Sequence, residues 1–230
     1  MKIIWLGHSG FRIESGTAVL LVDPWLTGNP VFPADRRAEA VEGVTHILLT
    51  HGHGDHSGDA LAISREREVP VVGIYDMIHH WQSQGDVKGI GFNKGGTVDL
   101  AGVKATMVAA SHSSSLGSEA GPIYAGSPAG FMLAAEGHCI YISGDTDIMA
   151  DMEWMGDLHN PDIAILSAGG HFTMDMARAA YAARKYFRFK MVIPCHYRTF
   201  PLLEQSAAVL AAGLPGVRVV EPEVLVALEV

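Results

Sequence analysis

The sequence predicts a layered α/β protein (α+β in its ordering), two β-sheets face to face with helices on the outside. Three observations predict it. Strand-like runs outnumber helical ones. Each half of the chain places its strands first and its helices later. The polar residues able to do chemistry fall just after apolar runs, where strands end. A doubly wound parallel sheet fits less well, because the chain has neither G-x-G-x-x-G nor G-x-x-x-x-G-K-[ST]. With 230 residues and no linker, low-complexity tract or strict short repeat, one domain over 1–230 is expected.

The elements follow in order. Residues 2–6, 11–14 and 18–22 are short apolar or alternating runs separated by Gly or Ser, and read as strands. Residues 45–49 form a fourth strand that ends at a histidine cluster. Residues 59–68 read as a helix, 69–74 as a buried strand and 76–84 as a short helix. Residues 103–109 read as a strand ending at Ser111-His112. Residues 130–135 and 139–143 read as a hairpin around Glu136-Gly137-His138. Residues 162–166 and 191–193 are strands, with an Ala-rich helix over 175–187 between them. Residues 217–220 and 224–228 close the chain as strands.

Composition narrows the class. Hydrophobic residues are 48% and charged residues 18%, a globular balance. The formal net charge of -9 and the lack of any basic run argue against nucleic acid as a partner. Cys139 and Cys195 cannot make a disulfide framework or a C-x-x-C pair. The apolar run 3–6 is too short for a signal-peptide core, and no apolar stretch reaches membrane-spanning length. The expectation is a cytoplasmic protein without a membrane partner.

Chemistry concentrates in Thr50-His51-Gly52-His53-Gly54-Asp55-His56. Four imidazole or carboxylate residues in six positions are poor core material, and burying them unpaired is costly. They suit a divalent transition metal. Gly52 and Gly54 are expected to let the backbone bend so that the side chains converge. Three more points carry ligand-type residues after strands: Ser111-His112-Ser113, Gly144-Asp145-Thr146-Asp147 and His196.

This series, H-x-H-x-D-H followed by His, Asp and His, resembles that of the metallo-β-lactamase-fold hydrolases over nearly the whole chain. Leu6-Gly7-His8-Ser9, Asp23-Pro24-Trp25, Gly169-Gly170-His171-Phe172-Thr173-Met174-Asp175 and Pro194-Cys195-His196-Tyr197 resemble a narrower branch. That branch holds small metal-dependent hydrolases, ascorbate-6-phosphate lactonase among them. The resemblance implies a four-layer αββα sandwich with two divalent metal ions at one edge. Zn2+ is the first expectation, with Mn2+ or Fe2+ as alternatives. By motif, His51, His53 and His112 hold the first ion, and Asp55, His56 and His196 the second. Asp145 bridges them. Flavodiiron-type members carry Glu where this chain has His53, so the histidine favours hydrolysis over oxygen chemistry. The narrower branch also suggests a homo-oligomer.

The chemistry implied is attack by a hydroxide shared between two metals on a small ester, lactone or phosphoester, a small-molecule substrate. Asp55 and His171 are the catalytic candidates, Asp55 to orient the hydroxide or collect a proton, His171 to contact substrate or move a proton. Asp23 reads equally as a turn aspartate and as an acceptor for a ligating imidazole. His8 reads as a residue behind or beside the metals, or as a plain turn residue. Trp25, Phe32 and Trp154 are candidates for an apolar wall, and loops 29–39 and 113–123 for specificity. Asp175 reads as a helix N-terminal residue. His46, His79, His80, His138 and His159 receive no role. The competing functions are a nuclease or phosphodiesterase acting on RNA or DNA, and a non-catalytic metal-binding sensor.

Overall fold

The computed structural model describes residues 1–85 and 87–230. The strands are β1 (Lys2–Trp5), β2 (Phe11–Ser15), β3 (Ala18–Val22), β4 (His46–Leu48), β5 (Val71–Ile74), β6 (Gly89–Phe92), β7 (Thr97–Leu100) and β8 (Val103–Ala109). They continue with β9 (Ser115–Leu116), β10 (Ile123–Tyr124), β11 (Ala129–Ala135), β12 (His138–Ile142), β13 (Ile163–Ser167), β14 (Met191–Cys195), β15 (Arg218–Val219) and β16 (Ala227–Glu229). The helices are α1 (Arg37–Val41), α2 (Gly54–Ser57), α3 (Ala60–Arg67), α4 (Tyr75–Ser83), α5 (Met152–His159), α6 (Met176–Tyr186) and α7 (Ala208–Gly213).

Two seven-stranded sheets result, in the orders β16-β1-β2-β3-β4-β5-β6 and β15-β14-β13-β12-β11-β8-β7. Both are antiparallel at one end and parallel at the other: β3 to β6 pair in parallel, and so do β12 to β15. Antiparallel neighbours need only tight turns. Parallel neighbours need crossovers, which carry the helices. That is the physical origin of the strands-then-helices order in each half of the sequence. Residues of both sheets enter one core cluster, and Phe92 stacks on Phe131 across it, ring centroids 6.1 Å apart.

Local chemistry explains the elements. Ala135 pairs with His138, so Glu136 and Gly137 form the two-residue turn, with φ 51° and 81°. Positive φ at both turn residues is the hairpin turn whose twist matches the strands. Asp175 caps α6, its Oδ1 accepting from the Arg178 amide at 2.7 Å, as expected. Ala179, Ala180, Ala182 and Ala183 give that helix a buried small-residue face. Pro194 lies within β14, but β15 pairs only with Met191 and Val192, so no ladder bond is lost on that side.

Eight elements were not predicted: β6, β7, β9, β10, α1, α2, α5 and α7. β6 and β7 are edge strands whose residues, Leu100 apart, are partly or fully exposed, so no apolar run marks them. α7 is a short helix with a single buried residue, Leu210. α5 carries Gly156 in its middle, where a Cβ would meet the Tyr186 carbonyl oxygen at 2.0 Å. The glycine lets α5 touch the end of α6, at the expense of helix propensity in the sequence.

Candidate metal centre

The ligand-type residues stand on the loops that leave strand ends or on the short helix that one of those loops enters. His51 follows β4, His112 follows β8, Asp145 follows β12 and His196 follows β14, so both sheets contribute. His53 is the extended residue before α2, while Asp55 and His56 occupy its first turn.

Two groups of atoms converge. His51 Nε2 lies 3.0 Å from His53 Nδ1, and their rings and that of His112 form one group. Asp145 Oδ2 lies 3.3 Å from His56 Nε2, 3.1 Å from His196 Nε2 and 3.6 Å from His112 Nε2. Asp55 Oδ2 stands 3.9 Å from His56 Nε2 and 3.7 Å from His196 Nε2. Ligands at about 2.0–2.1 Å from a tetrahedral ion stand roughly 3.3 Å from one another, so these separations suit a transition metal. Asp145 touches both groups. His56 Nε2 and Asp145 Oδ1 are buried with no hydrogen-bond partner among the described residues. An unpaired buried polar atom costs about 1–3 kcal/mol, and a cation among these would remove that cost. The donor set of imidazoles and carboxylates therefore fits a metal ion.

A second layer fixes the rings. Asp23 Oδ2 accepts from His56 Nδ1 at 2.9 Å and from the Thr50 hydroxyl at 2.6 Å, and its Oδ1 accepts from the Thr50 amide at 2.8 Å. The Thr50 hydroxyl, having given its proton to Asp23, accepts from His51 Nδ1 at 3.0 Å. Both imidazoles thus carry a proton on Nδ1 and turn Nε2 inward. Of the two readings of Asp23, the imidazole acceptor is the one the geometry supports. His53 Nε2 faces Ser113 Oγ at 3.4 Å.

The electrostatics agree with this division. Burial pushes His51, His53 and His112 below the ordinary imidazole value, which keeps them neutral, the form that ligates. Burial opposes ionisation of Asp145, but His56 and His196 outweigh it and hold the carboxyl well below the usual range. Burial likewise opposes a charge on His56, but Asp145 and Asp23 outweigh it and raise its pKa, so without an ion the ring favours a second proton on Nε2, facing Asp145, which a bound ion would displace. Burial takes His8 down to about 4, against the pull of Asp55.

His8 is the main addition to the predicted set. It is fully buried, and its Nε2 lies 3.0 Å from Asp55 Oδ2. His171 is not brought into the cluster. It is exposed on the loop before α6, its ring edge-on to Phe172, whose own ring is 6.3 Å from that of His196. Of the expected aromatic wall, Trp25 packs edge-on to His8 at 5.3 Å. Phe32 is in the core and Trp154 sits on α5 beside His159. Phe200, which went unnoticed in the sequence, joins Trp25 at 6.0 Å.

The bending role expected of Gly52 and Gly54 is corrected. Neither has positive φ. Gly52 is needed because a Cβ there would meet Ala125 Cβ at 2.8 Å and the Ser115 carbonyl at 3.0 Å, where the β9–β10 hairpin packs on the cluster. Gly54 faces open space.

Comparison with known proteins completes the picture. The family described as a beta-lactamase superfamily domain matches residues 19–197. A UPF0173 metal-dependent hydrolase of Paracoccus denitrificans (strain Pd 1222) is 70% identical over 225 residues, 98% of each chain. Its counterpart in Cereibacter sphaeroides (strain KD131 / KCTC 12085) is 70% identical over 230 residues, 100% of each. Among solved structures, the metallo hydrolase Igni18 of Ignicoccus hospitalis matches at a TM-score of 0.83 and 34% identity, covering 100% of this chain and 98% of its own. YhfI of Bacillus subtilis, a metallo-beta-lactamase fold protein, shares the fold at a TM-score of 0.74 and 17% identity, with 99% of each chain covered. Fold and relatives together define a metal-dependent hydrolase of the metallo-β-lactamase fold, as the motif series implied. Within that class, the chain belongs to the UPF0173 metal-dependent hydrolases.

Proposed function

We propose that this hydrolase works with two divalent ions, zinc first, and cleaves a small ester, lactone or phosphoester in the cytoplasm. The observation that carries the reading is Asp145, whose Oδ2 stands within 3.1–3.6 Å of His56, His196 and His112 and so joins the two ligand groups. His51, His53 and His112 would hold one ion, Asp55, His56 and His196 the other, and Asp145 would bridge. A pair of such ions supplies an activated water and a Lewis acid for the substrate's oxygen.

The chain's own residues do the rest. Asp23 and Thr50 hold the His51 and His56 rings by Nδ1, with Nε2 of each turned inward. Asp55, the more open of the two central carboxylates with a side chain 34% exposed against 3% for Asp145, faces the approach of substrate and is placed to accept a proton. Burial opposes a charge on Asp55, but His8 and His56 outweigh it and hold the carboxyl well below the usual range, so it is an acceptor at neutral pH. His171, exposed beside Phe172, serves substrate contact at the rim instead of proton transfer at the centre. The net charge of -9 supports a small molecule over nucleic acid.

The test is the metal-reconstituted protein against panels of esters, lactones and phosphodiesters, with bound metal counted. Turnover on one panel, lost on chelation, is expected. Folded, metal-loaded protein inert on all three would count against the reading.

A further inference from the structure

We propose that His8 is a positioning residue that locks Asp55 and His196 in place by two separate parts of itself, its imidazole and its main-chain carbonyl. The inference rests on the two-ion reading above and deepens it.

The imidazole is held at both ends. Its Nδ1 lies 2.9 Å from Thr199 Oγ1 and its Nε2 lies 3.0 Å from Asp55 Oδ2. An ionised carboxylate can only accept, so the neutral ring carries its proton on Nε2 and gives it to Asp55. Nδ1 is then an acceptor, and the Thr199 hydroxyl is the donor facing it. The hydroxyl also lies 3.2 Å from the Tyr197 carbonyl, the longer of its two contacts. A relay follows: Thr199 O–H to His8, and His8 N–H to Asp55.

The main chain does the second job. The His8 carbonyl accepts from the Trp5 indole at 2.9 Å and from the His196 amide at 3.0 Å. His8 and His196 both adopt left-handed backbone, φ 52° and 58°, in which a residue other than glycine is strained by about 1–2 kcal/mol. Two strained residues bonded to each other, with rings 4.0 Å apart, mark a junction held by its surroundings. His8 comes from the β1–β2 turn of one sheet and His196 from the end of β14 in the other. The residue thus ties the sheets together behind the second ion's ligands.

Because Nε2 is spent on Asp55, His8 supports the site without ligating. That distinguishes it from a fourth ligand, although its ring atom lies in the same group as those of Asp55, His56 and His196.

The experiment is titration of metal-stripped full-length protein with Zn2+ against a chromophoric chelator, for the wild type, His8→Ala, His8→Gln and Thr199→Val. The wild type should take two ions. In His8→Ala one of the two affinities should fall about 10–100-fold while the other holds, the usual effect of losing a ligand's supporting partner. Gln places an N–H donor at the same reach, so His8→Gln should recover most of the loss. Thr199→Val should weaken the same ion by a smaller factor. If His8→Ala does not fold by far-UV circular dichroism, His8→Gln and Thr199→Val carry the test. Unchanged affinities in His8→Ala, or in Thr199→Val should that variant carry the test, overturn the assignment while leaving the two-ion reading intact. A His8→Gln as weak as His8→Ala also overturns it, by making His8 a ligand. A wild type that takes fewer than two ions sinks the two-ion reading and this assignment with it.

Discussion

Asp23 and His56 are joined at 2.9 Å, and the same carboxylate oxygen reaches His51 through the hydroxyl of Thr50. One buried carboxylate therefore governs a ring from each ligand group. Asp23→Asn should weaken both ions about 10–100-fold, as losing a ligand's supporting partner commonly does. Thr50→Val should weaken mainly the ion held by His51. Chelator competition on the two variants checks this, and a wild-type affinity for both ions in Asp23→Asn would refute the shared role.

The two glycines of the cluster should behave oppositely. Gly52→Ala drives a methyl against Ala125 and the Ser115 carbonyl, and overpacking of that kind costs about 1–3 kcal/mol. Gly54 opens α2 with nothing within 4 Å of its added carbon, so Gly54→Ala should be neutral or stabilising by up to about 1 kcal/mol. Urea denaturation of the metal-free proteins separates them. Equal destabilisation would show that backbone freedom matters at both.

Metal should stabilise the fold measurably. Ions at about 100 times their dissociation constant add roughly 2.7 kcal/mol per site. For a chain of this size each kcal/mol moves the melting temperature by about 2–4 °C. Melting should therefore fall by at least about 5 °C on chelation, read by differential scanning calorimetry. A melting temperature indifferent to chelator would mean that the cluster does not bind ions tightly in the folded state.

Acid should act through Asp162, away from the cluster. Its carboxylate accepts from the Cys139 amide at 3.0 Å and from His138 Nδ1 at 2.9 Å, and Lys190 stands 3.5 Å off. Burial opposes the charge, but these partners outweigh it and place the pKa below the ordinary 3.8. The unfolded chain then takes up this proton first as pH falls. The stability Asp162 adds is full above the ordinary value and is lost as pH drops through the folded one. Asp162→Asn should lower the urea midpoint at pH 7, by about 1 kcal/mol in stability, and flatten the decline between pH 5 and pH 3. A variant whose midpoint tracks the wild type at every pH would count against it.

Much of this was legible in the sequence because metal sites demand residue types that cores reject. His51, His53, Asp55 and His56 stand out for that reason, and the strand before each later ligand shows as an apolar run. The supporting residues were not legible in the same way. Thr199 is an ordinary loop threonine, and only folding brings it to His8. Asp23 before Pro24 serves a turn as readily as an imidazole until its neighbours are known. Gly52 and Gly54 look alike in sequence, and only the packed hairpin tells them apart. His171 was singled out from its glycine loop alone, and the structure places its ring exposed and edge-on to Phe172.

His8 and Thr199 are 191 positions apart, and their meeting closes the centre between the two sheets. Closing a contact of such separation costs chain entropy before it returns any stability. Ions that bind only once it has closed would leave the speed of folding nearly unchanged and retard escape from the folded state instead. The same atoms that would perform hydrolysis thus set the lifetime of each folded copy, so depletion of metal would shorten the protein's survival as well as silence it.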